Sequence, residues 1–129
     1  MSKSTFLKEF FDKKGMVGSV VPSSKFLIQM MLRKVEFEDA KLIVELGPGT
    51  GVITDEIIKR LKPNTQLLVI ELNDTFYMDL KSRISDPRVT IKKGCATELS
   101  RFINILGMEK ADYVVSPLPL SILPHILRK

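Results

Sequence analysis

The residues of this chain with the clearest chemical potential are three glycines that follow a short apolar run. The run, 42–46, is largely branched and apolar, as a strand buried between two helical layers should be, and Gly47, Gly49 and Gly51 follow it at alternate positions. Glycines let the backbone turn sharply and approach a ligand closely. Apolar residues then recur at helical spacing over 52–61, so a helix N-terminus with unpaired amides points back at the turn. This order of strand, glycine turn and helix is typical of a nucleotide-cofactor site.

Polar side chains at the ends of two later apolar runs extend this candidate site. Glu71 follows the run 67–70, about twenty residues beyond the glycines, where a carboxylate can accept hydrogen bonds from both hydroxyls of a ribose. Ser116 follows the run 111–115 and begins a loop that contains three prolines. Because a proline-bearing loop at the carboxyl end of a parallel strand is rigid and lies beside the cofactor turn, we expect the acceptor substrate there.

The spacing of the glycines separates several cofactor classes. Gly-x-Gly-x-Gly lacks the third glycine position of the dinucleotide fingerprint, which counts against NAD and FAD, and it lacks the Lys-Ser/Thr end of a phosphate-binding P-loop. The segment 45–51, Glu-Leu-Gly-Pro-Gly-Thr-Gly, closely resembles the first motif of the class I S-adenosylmethionine-dependent methyltransferases. The resemblance implies an α/β, Rossmann-like fold, an enzyme, and S-adenosylmethionine as the cofactor.

The same resemblance assigns cofactor contacts residue by residue. Family members usually carry an acidic residue at the position of Cys95, where it accepts a hydrogen bond from the adenine amino group. A thiol is a weak donor and a poor acceptor, so this chain departs from the family there. A catalytic cysteine is disfavoured because the local sequence holds no histidine to activate it. No metal ligand is predicted, and the predicted cofactor-binding residues are Glu45, Gly47, Pro48, Gly49, Thr50, Gly51, Glu71, Leu72, Cys95, Ala96 and Ser116.

The proline-bearing loop resembles the acceptor loop of amino-methylating members of this superfamily. That loop has the form Asn/Asp/Ser-Pro-Pro-Tyr/Phe or Asn-Leu-Pro-Tyr, and residues 116–119 fit its outline. Leu120 stands where adenine methyltransferases have an aromatic ring to stack on the base, which argues against a nucleobase acceptor. Ser-x-Leu-Pro-Leu followed by another proline resembles instead the bacterial phospholipid N-methyltransferases, relatives of the ribosomal RNA adenine dimethyltransferases. The segments 18–24 and 45–54 fit the same group.

Similarity to that group implies methyl transfer from S-adenosylmethionine to the amino group of phosphatidylethanolamine at the membrane surface. Catalytic roles fall to Ser116, which would orient the uncharged amine, and to Leu118 and Pro119. Two other interpretations stay open: an RNA adenine N6-methyltransferase, and a non-catalytic fragment that binds cofactor or membrane. No strong general base is identifiable, because a lone histidine near a C-terminus, here His125, is usually a surface residue.

Length and composition limit the remaining possibilities. With 129 residues, of which 44% are hydrophobic and 27% charged, the chain is expected to form one globular domain. Neither a transmembrane helix nor a signal peptide is predicted, and a lone cysteine fits a reducing cytoplasm. The net charge of +5 favours polyanions, and RNA and an anionic membrane surface both meet that description. We therefore predict a cytoplasmic protein, with a peripheral position on the inner face of the membrane as one option.

The N-terminal segment, 1–19, predicts a basic amphipathic helix and a flexible junction. Large apolar side chains share one helical face and lysines are distributed around the rest; they are Phe6, Leu7, Phe10 and Phe11, with Lys3, Lys8, Lys13 and Lys14. Two interpretations are open for this helix. It either docks on the core of its own domain, or it lies in a membrane interface where residues 3–14 meet anionic headgroups.

The elements that must position the candidate site alternate between strands and helices. Right-handed crossovers place four parallel strands in the order 3-2-1-4. The resemblance then implies that residues 20–129 form an S-adenosylmethionine-binding Rossmann-like domain, and that the closing strands of the family are absent from it. The exposed edge of the fourth strand invites self-association; a truncated gene product, an expressed fragment and a protomer completed by a partner all remain open. Helices are predicted over 25–34, with a cap at Ser23 or Ser24 and an apolar face of Phe26, Leu27, Met30 and Met31, and over 75–84, with a cap at Asp74.

Overall fold

The computed structural model describes residues 24–116, in which strands and helices alternate along the chain. The amphipathic helix and junction predicted over 1–19 and the predicted roles of Leu118 and Pro119 lie outside these residues. The elements are α1 (Ser24–Leu32), β1 (Leu42–Leu46), α2 (Val52–Arg60), β2 (Gln66–Glu71), α3 (Asp74–Arg83), β3 (Val89–Lys93), a 3₁₀ turn (Ala96–Glu98), α4 (Leu99–Ile105) and β4 (Tyr113–Val115). No helix within 24–116 is long and apolar enough to cross a membrane.

The four strands form one parallel sheet in the order β3-β2-β1-β4, which confirms the predicted topology. In the register of the sheet, Ile43 lies opposite both Leu67 of β2 and Tyr113 of β4. All five residues of β1 are buried, as expected for a central strand with helices on both of its faces. The carboxyl ends of all four strands therefore meet at one edge of the sheet.

Alternate residues of the central strands enter two separate cores. One core lies under α1, α2 and α3, and its largest contributions come from Ile28, Leu32, Ile43, Ile57, Leu67, Val69 and Leu80. The other lies under α4 and contains Leu42, Val44, Leu46, Leu68, Ile70, Leu99, Phe102 and Ile103. This two-sided burial gives the Rossmann-like, doubly wound architecture that the sequence predicted.

The predicted apolar face of α1 is wrong in part. Ile28 and Leu32 are the buried residues of this helix, whereas Phe26 is 59% exposed and Met30 is 42% exposed. Met31 packs against the core as predicted, whereas the side chain of Leu27 lies outside the described part of the structure. Six of the nine residues of the helix are apolar, so helical periodicity does not select one face, and packing against the core decides which face is buried.

The predicted cap of α3 is also wrong. Asn73 caps the helix, because its Oδ1 accepts a hydrogen bond from the Phe76 backbone N–H at 3.0 Å. Asp74 is instead the first helical residue, and its carboxylate forms an ion pair with Lys93 at the end of β3. Asn and Asp are both good caps, so residue type alone does not choose between adjacent positions.

Candidate cofactor site

The glycine turn after β1 has a backbone conformation that requires glycine. Gly47, Gly49 and Gly51 have φ values of 64°, 61° and 92°, in the left-handed region that residues with a Cβ rarely adopt. The Gly47 N–H donates to the Ile70 carbonyl at 2.9 Å and so extends the contact between β1 and β2 into the turn. A Cβ added at Gly49 would meet no atom within 4 Å. The backbone at this point of the turn therefore faces open space, as close approach by a ligand requires.

Glu71 lies at the carboxyl end of β2 and contacts the turn directly. Its Oε1 accepts a hydrogen bond from the Gly49 N–H at 2.9 Å, and its Oε2 accepts one from the Asn73 N–H at 2.9 Å. The residue is 6% exposed. Each carboxylate oxygen can accept two hydrogen bonds, so each of these oxygens retains acceptor capacity for a ribose hydroxyl. The neighbouring Leu72 is 64% exposed and offers an apolar surface beside it.

Arg83, in the last turn of α3, also contacts the glycine turn. Its Nη2 donates to the Thr50 carbonyl at 2.7 Å, and its Nη1 donates to Asp55 Oδ1 at 3.0 Å. A Cβ at Gly51 would lie 2.2 Å from this Nη2 and 2.7 Å from Leu80 Cδ2, so glycine is required there by packing. Sequence reasoning missed Arg83, because a basic residue in the last turn of a helix is common for reasons of helix polarity alone.

Glu45 lies inside β1, behind the turn, and has no exposed surface. The Thr54 hydroxyl donates to its Oε1, while its buried Oε2 has no hydrogen-bond partner among the described residues. Burial raises the pKa of Glu45 to about 8, and the nearby charges of Asp55 and Glu71 act in the same direction. At neutral pH this side chain is therefore predominantly a neutral acid, which suits its place in the core.

Cys95 lies just after β3, at the same edge of the sheet as the glycine turn. Its sulfur accepts a hydrogen bond from the Glu98 N–H, and its own N–H donates to Glu98 Oε1 at 2.9 Å, which together form a capping box for the 3₁₀ turn. Hydrogen bonding by Thr97 lowers the pKa of the Cys95 thiol. The thiol thus has a structural contact in this fold, and Ala96, the next residue, begins the short turn.

Ser116 directly follows β4, and the register of the sheet places it near the glycine turn. Val115 lies opposite Glu45, so Ser116 emerges beside the end of β1. It is partly buried. Within residues 24–116, no group of three or more His, Cys, Asp or Glu side chains has an arrangement that could bind a metal ion.

The fold brings most of the predicted cofactor residues to one edge. The glycine turn follows β1, Glu71 ends β2, and Cys95 and Ser116 follow β3 and β4. Neighbouring strands in the order β3-β2-β1-β4 place these segments side by side. This edge is where ligands bind in open α/β sheets. Glu45 is the exception, because it lies inside its strand and is buried from solvent.

Comparisons with known proteins agree with this geometry. A sequence model of the ribosomal RNA adenine dimethylase family matches residues 12–105. The chain is 34% identical over 125 residues to an ornithine lipid N-methyltransferase of Singulisphaera acidiphila, covering 96% of this chain and 65% of that protein. It is 30% identical over 87 residues to the ribosomal RNA small subunit methyltransferase A of Clostridium perfringens, covering 67% of this chain and 29% of that protein.

Two solved structures share the fold at low sequence identity. The O-methyltransferase TomG of Streptomyces achromogenes, in complex with S-adenosylmethionine, is 18% identical with a TM-score of 0.58, covering 91% of this chain and 54% of that one. An O-methyltransferase of Bacillus cereus is 18% identical with a TM-score of 0.56, covering 92% and 56%. The chain thus spans less than two thirds of the length of each of these relatives. By its family match and its fold, it belongs to the ribosomal RNA adenine dimethylase family of class I S-adenosylmethionine-dependent methyltransferases.

Proposed function

We propose that the chain is an N-methyltransferase that uses this cofactor site to transfer a methyl group from S-adenosylmethionine to the amino group of a membrane lipid, with phosphatidylethanolamine as the acceptor. The observation that best supports cofactor binding is the contact between Glu71 and the Gly49 amide, because it holds a carboxylate against an open glycine turn. Because the chain spans only part of its relatives, activity and acceptor are proposals for this chain.

The residues of the candidate site fit S-adenosylmethionine. The two oxygens of Glu71 would accept hydrogen bonds from the ribose hydroxyls, and the exposed Leu72 would offer an apolar surface to the adenine ring. The open backbone at Gly49 admits the methionine portion without a steric barrier. When bound, the cofactor supplies an electrophilic methyl group on a sulfonium centre.

Ser116 positions the acceptor amine in this proposal. It follows the strand that pairs with β1, so a substrate at this position lies beside the cofactor turn. Its hydroxyl and carbonyl oxygens are suited to accept hydrogen bonds from an amine and to direct the nitrogen lone pair toward the methyl group. Methyl transfer to an uncharged amine needs no covalent intermediate, so positioning and exclusion of water supply much of the catalysis.

The outer face of α1 supports a lipid acceptor. Phe26 and Met30, one helical turn apart, are both exposed, and the basic side chains Lys25, Arg33 and Lys34 lie exposed along the same segment. The helix contains no acidic residue. An apolar surface with basic neighbours fits an anionic membrane, where apolar side chains enter the interface and cations meet headgroups. With the basic segment 3–14, it supports a peripheral position on the inner face of the cytoplasmic membrane.

Two other acceptors have specific support. Ornithine lipid presents a primary amine, as phosphatidylethanolamine does, and a relative 34% identical to this chain is an ornithine lipid N-methyltransferase. RNA adenine is favoured by the family match and by the net charge of +5, and is opposed by Leu120. The three acceptors can be supplied separately, so one methylation assay distinguishes them.

The experiment that tests the proposal supplies labelled S-adenosylmethionine to the purified 129-residue chain with three acceptors in parallel: phosphatidylethanolamine vesicles, ornithine lipid vesicles and ribosomal RNA. Label in phosphatidylethanolamine, lost in Glu71→Ala, is the expected result. Label confined to ornithine lipid would support a lipid acceptor and would overturn phosphatidylethanolamine as that acceptor. Label confined to RNA would overturn the lipid proposal, and no label in any acceptor, with bound cofactor, would overturn catalysis by this chain.

A further inference from the structure

Arg83 contacts the glycine turn of the candidate cofactor site. The structure gives its guanidinium three neighbours: the Thr50 carbonyl at 2.7 Å, Asp55 Oδ1 at 3.0 Å and Asp79 Oδ2 at 3.5 Å. The two carboxylates are 49% and 57% exposed, so their ion pairs are largely screened by water. The contact with Thr50 is different, because its acceptor is part of the glycine turn itself.

This contact completes a closed path through Thr50, Gly49, Glu71, Asn73 and helix α3 back to Arg83, which we call the turn ring. Arg83 donates to Thr50, the neighbouring Gly49 donates to Glu71 Oε1, and Asn73 donates to Glu71 Oε2. Asn73 then caps α3, whose last turn returns to Arg83. Both ends of α3 thus connect to the turn: one through the predicted ribose acceptor and the other through the guanidinium.

We propose that Arg83 is a positioning residue that closes the turn ring and so fixes the glycine turn relative to Glu71 before the cofactor binds. The inference rests on the proposed function, since it assigns Arg83 a role in the affinity for S-adenosylmethionine. Binding to a preformed site avoids the entropy cost of ordering a loop on association. Glycine at position 51 leaves room for this contact, because a Cβ there would displace the guanidinium.

A lysine at position 83 would keep the positive charge but could not donate to both acceptors in the same directions. The guanidinium donates through two different nitrogens to Thr50 and Asp55, in directions set by its planar shape. A lysine ammonium is a compact charge on a flexible stem and does not reproduce that fork. Arg83→Lys therefore tests the contact with the turn while changing the net charge of the chain by nothing.

The chain offers a matched control in Arg88, before β3. Its Nη1 donates to the Leu61 carbonyl at 2.9 Å, and its Nη2 donates to Asp86 Oδ2 at 2.6 Å. Arg88 therefore has the same kinds of partner as Arg83, a backbone carbonyl and carboxylate oxygens, although Arg83 has two carboxylate partners and Arg88 has one. It lies at the amino end of the sheet, opposite to the candidate site, since it directly precedes Val89.

The test is calorimetric titration of S-adenosylmethionine into the wild-type chain, Arg83→Lys and Arg88→Lys, at a temperature where circular dichroism shows each to be folded. We expect the dissociation constant to rise about tenfold in Arg83→Lys and to stay within about twofold of wild type in Arg88→Lys. Hydrogen exchange at the Gly49 amide should accelerate in Arg83→Lys alone.

The outcomes separate this inference from the proposed function. A folded wild-type chain that does not bind S-adenosylmethionine would contradict the proposed function, and the role of Arg83 with it. Wild-type binding with unchanged affinity in Arg83→Lys would overturn the turn ring alone. Equal losses in both variants would also overturn it, because they would show that general destabilisation explains the change.

Discussion

Two corners of one sheet edge are built in different ways. In the first, the glycine turn meets Glu71 and Arg83, which are 22 and 33 residues away from their partners in the turn. In the second, Cys95 and Glu98 contact each other across three positions of sequence. The first corner therefore depends on the tertiary arrangement of β1, β2 and α3, whereas the second depends mainly on a local turn.

This difference explains where the chain tolerates a departure from its family. A residue in a local turn can change while the turn survives, and Cys95 retains the capping role there through its sulfur. A residue in the first corner has several long-range partners, so its replacement alters the turn and the helix together. We infer that affinity for the cofactor is determined mainly by the first corner.

The largest expected effect comes from removing the acid of the first corner. Glu71→Ala should lower the affinity for S-adenosylmethionine by roughly 2 to 4 kcal/mol, because two hydrogen bonds to a charged acceptor are lost. Glu98→Ala is the matched control, since Glu98 is the acid of the second corner, and its effect on affinity should be much smaller. Titration calorimetry of both variants checks the comparison, and equal losses would contradict it.

Two glycine substitutions should separate the cost of a steric clash from the cost of an unfavourable φ in the first corner. Gly51→Ala places a Cβ against Arg83 and Leu80 at a φ of 92°, and we expect it to lower the free energy of unfolding by about 3 kcal/mol. Gly49→Ala has a comparable φ and open space around it, so about 1 to 2 kcal/mol is expected. Urea denaturation measures both. A larger loss for Gly49→Ala would show that the turn packs differently.

The buried acid behind the first corner predicts a pH dependence of stability. Glu45 titrates near 4.5 in the unfolded chain and near 8 in the folded protein, so between these values only the folded state keeps the proton. Its contribution therefore falls by about 1.4 kcal/mol per pH unit as pH rises through this window, and levels off above it. Glu45→Gln removes this dependence, so the variant should gain stability relative to wild type from pH 5 to pH 8. Parallel denaturation curves with a constant difference would refute the assignment.

The smallest expected effect lies in the second corner. Cys95→Asp keeps a capping side chain and adds the carboxylate acceptor that the resemblance predicts beside the adenine, so affinity for S-adenosylmethionine should rise by about threefold to tenfold. Cys95→Ser keeps a cap without a charge and serves as the control. A fall in affinity for the Asp variant would mean that the adenine does not lie at this corner.

Periodicity and spacing predicted much of this fold and site. The strand order follows from four short apolar runs joined by helices, and Glu71 follows from its distance to the glycines. The buried face of α1 was not predictable, because Phe26, Ile28 and Met30 are equally apolar and only packing against the core selects among them. Arg83 was not predictable either, since its contact with Thr50 joins residues that are distant in sequence.

The burial of Glu45 could not be predicted from the sequence for a different reason. Its place in the motif resembles that of a cofactor-binding acid, yet the fold surrounds it with apolar neighbours in β1 and gives it Thr54 as a donor. Spacing along a strand tells which residues share a face. It does not tell how deeply a polar residue at the end of the strand is buried, which depends on the helices that cover the sheet.

The most direct test of the central claim is calorimetric titration of S-adenosylmethionine into the folded 129-residue chain. We predict saturable binding of one molecule per chain, because Glu71 and Arg83 both contact the glycine turn. A folded chain that shows no heat of binding at any concentration of S-adenosylmethionine up to the millimolar range would contradict it.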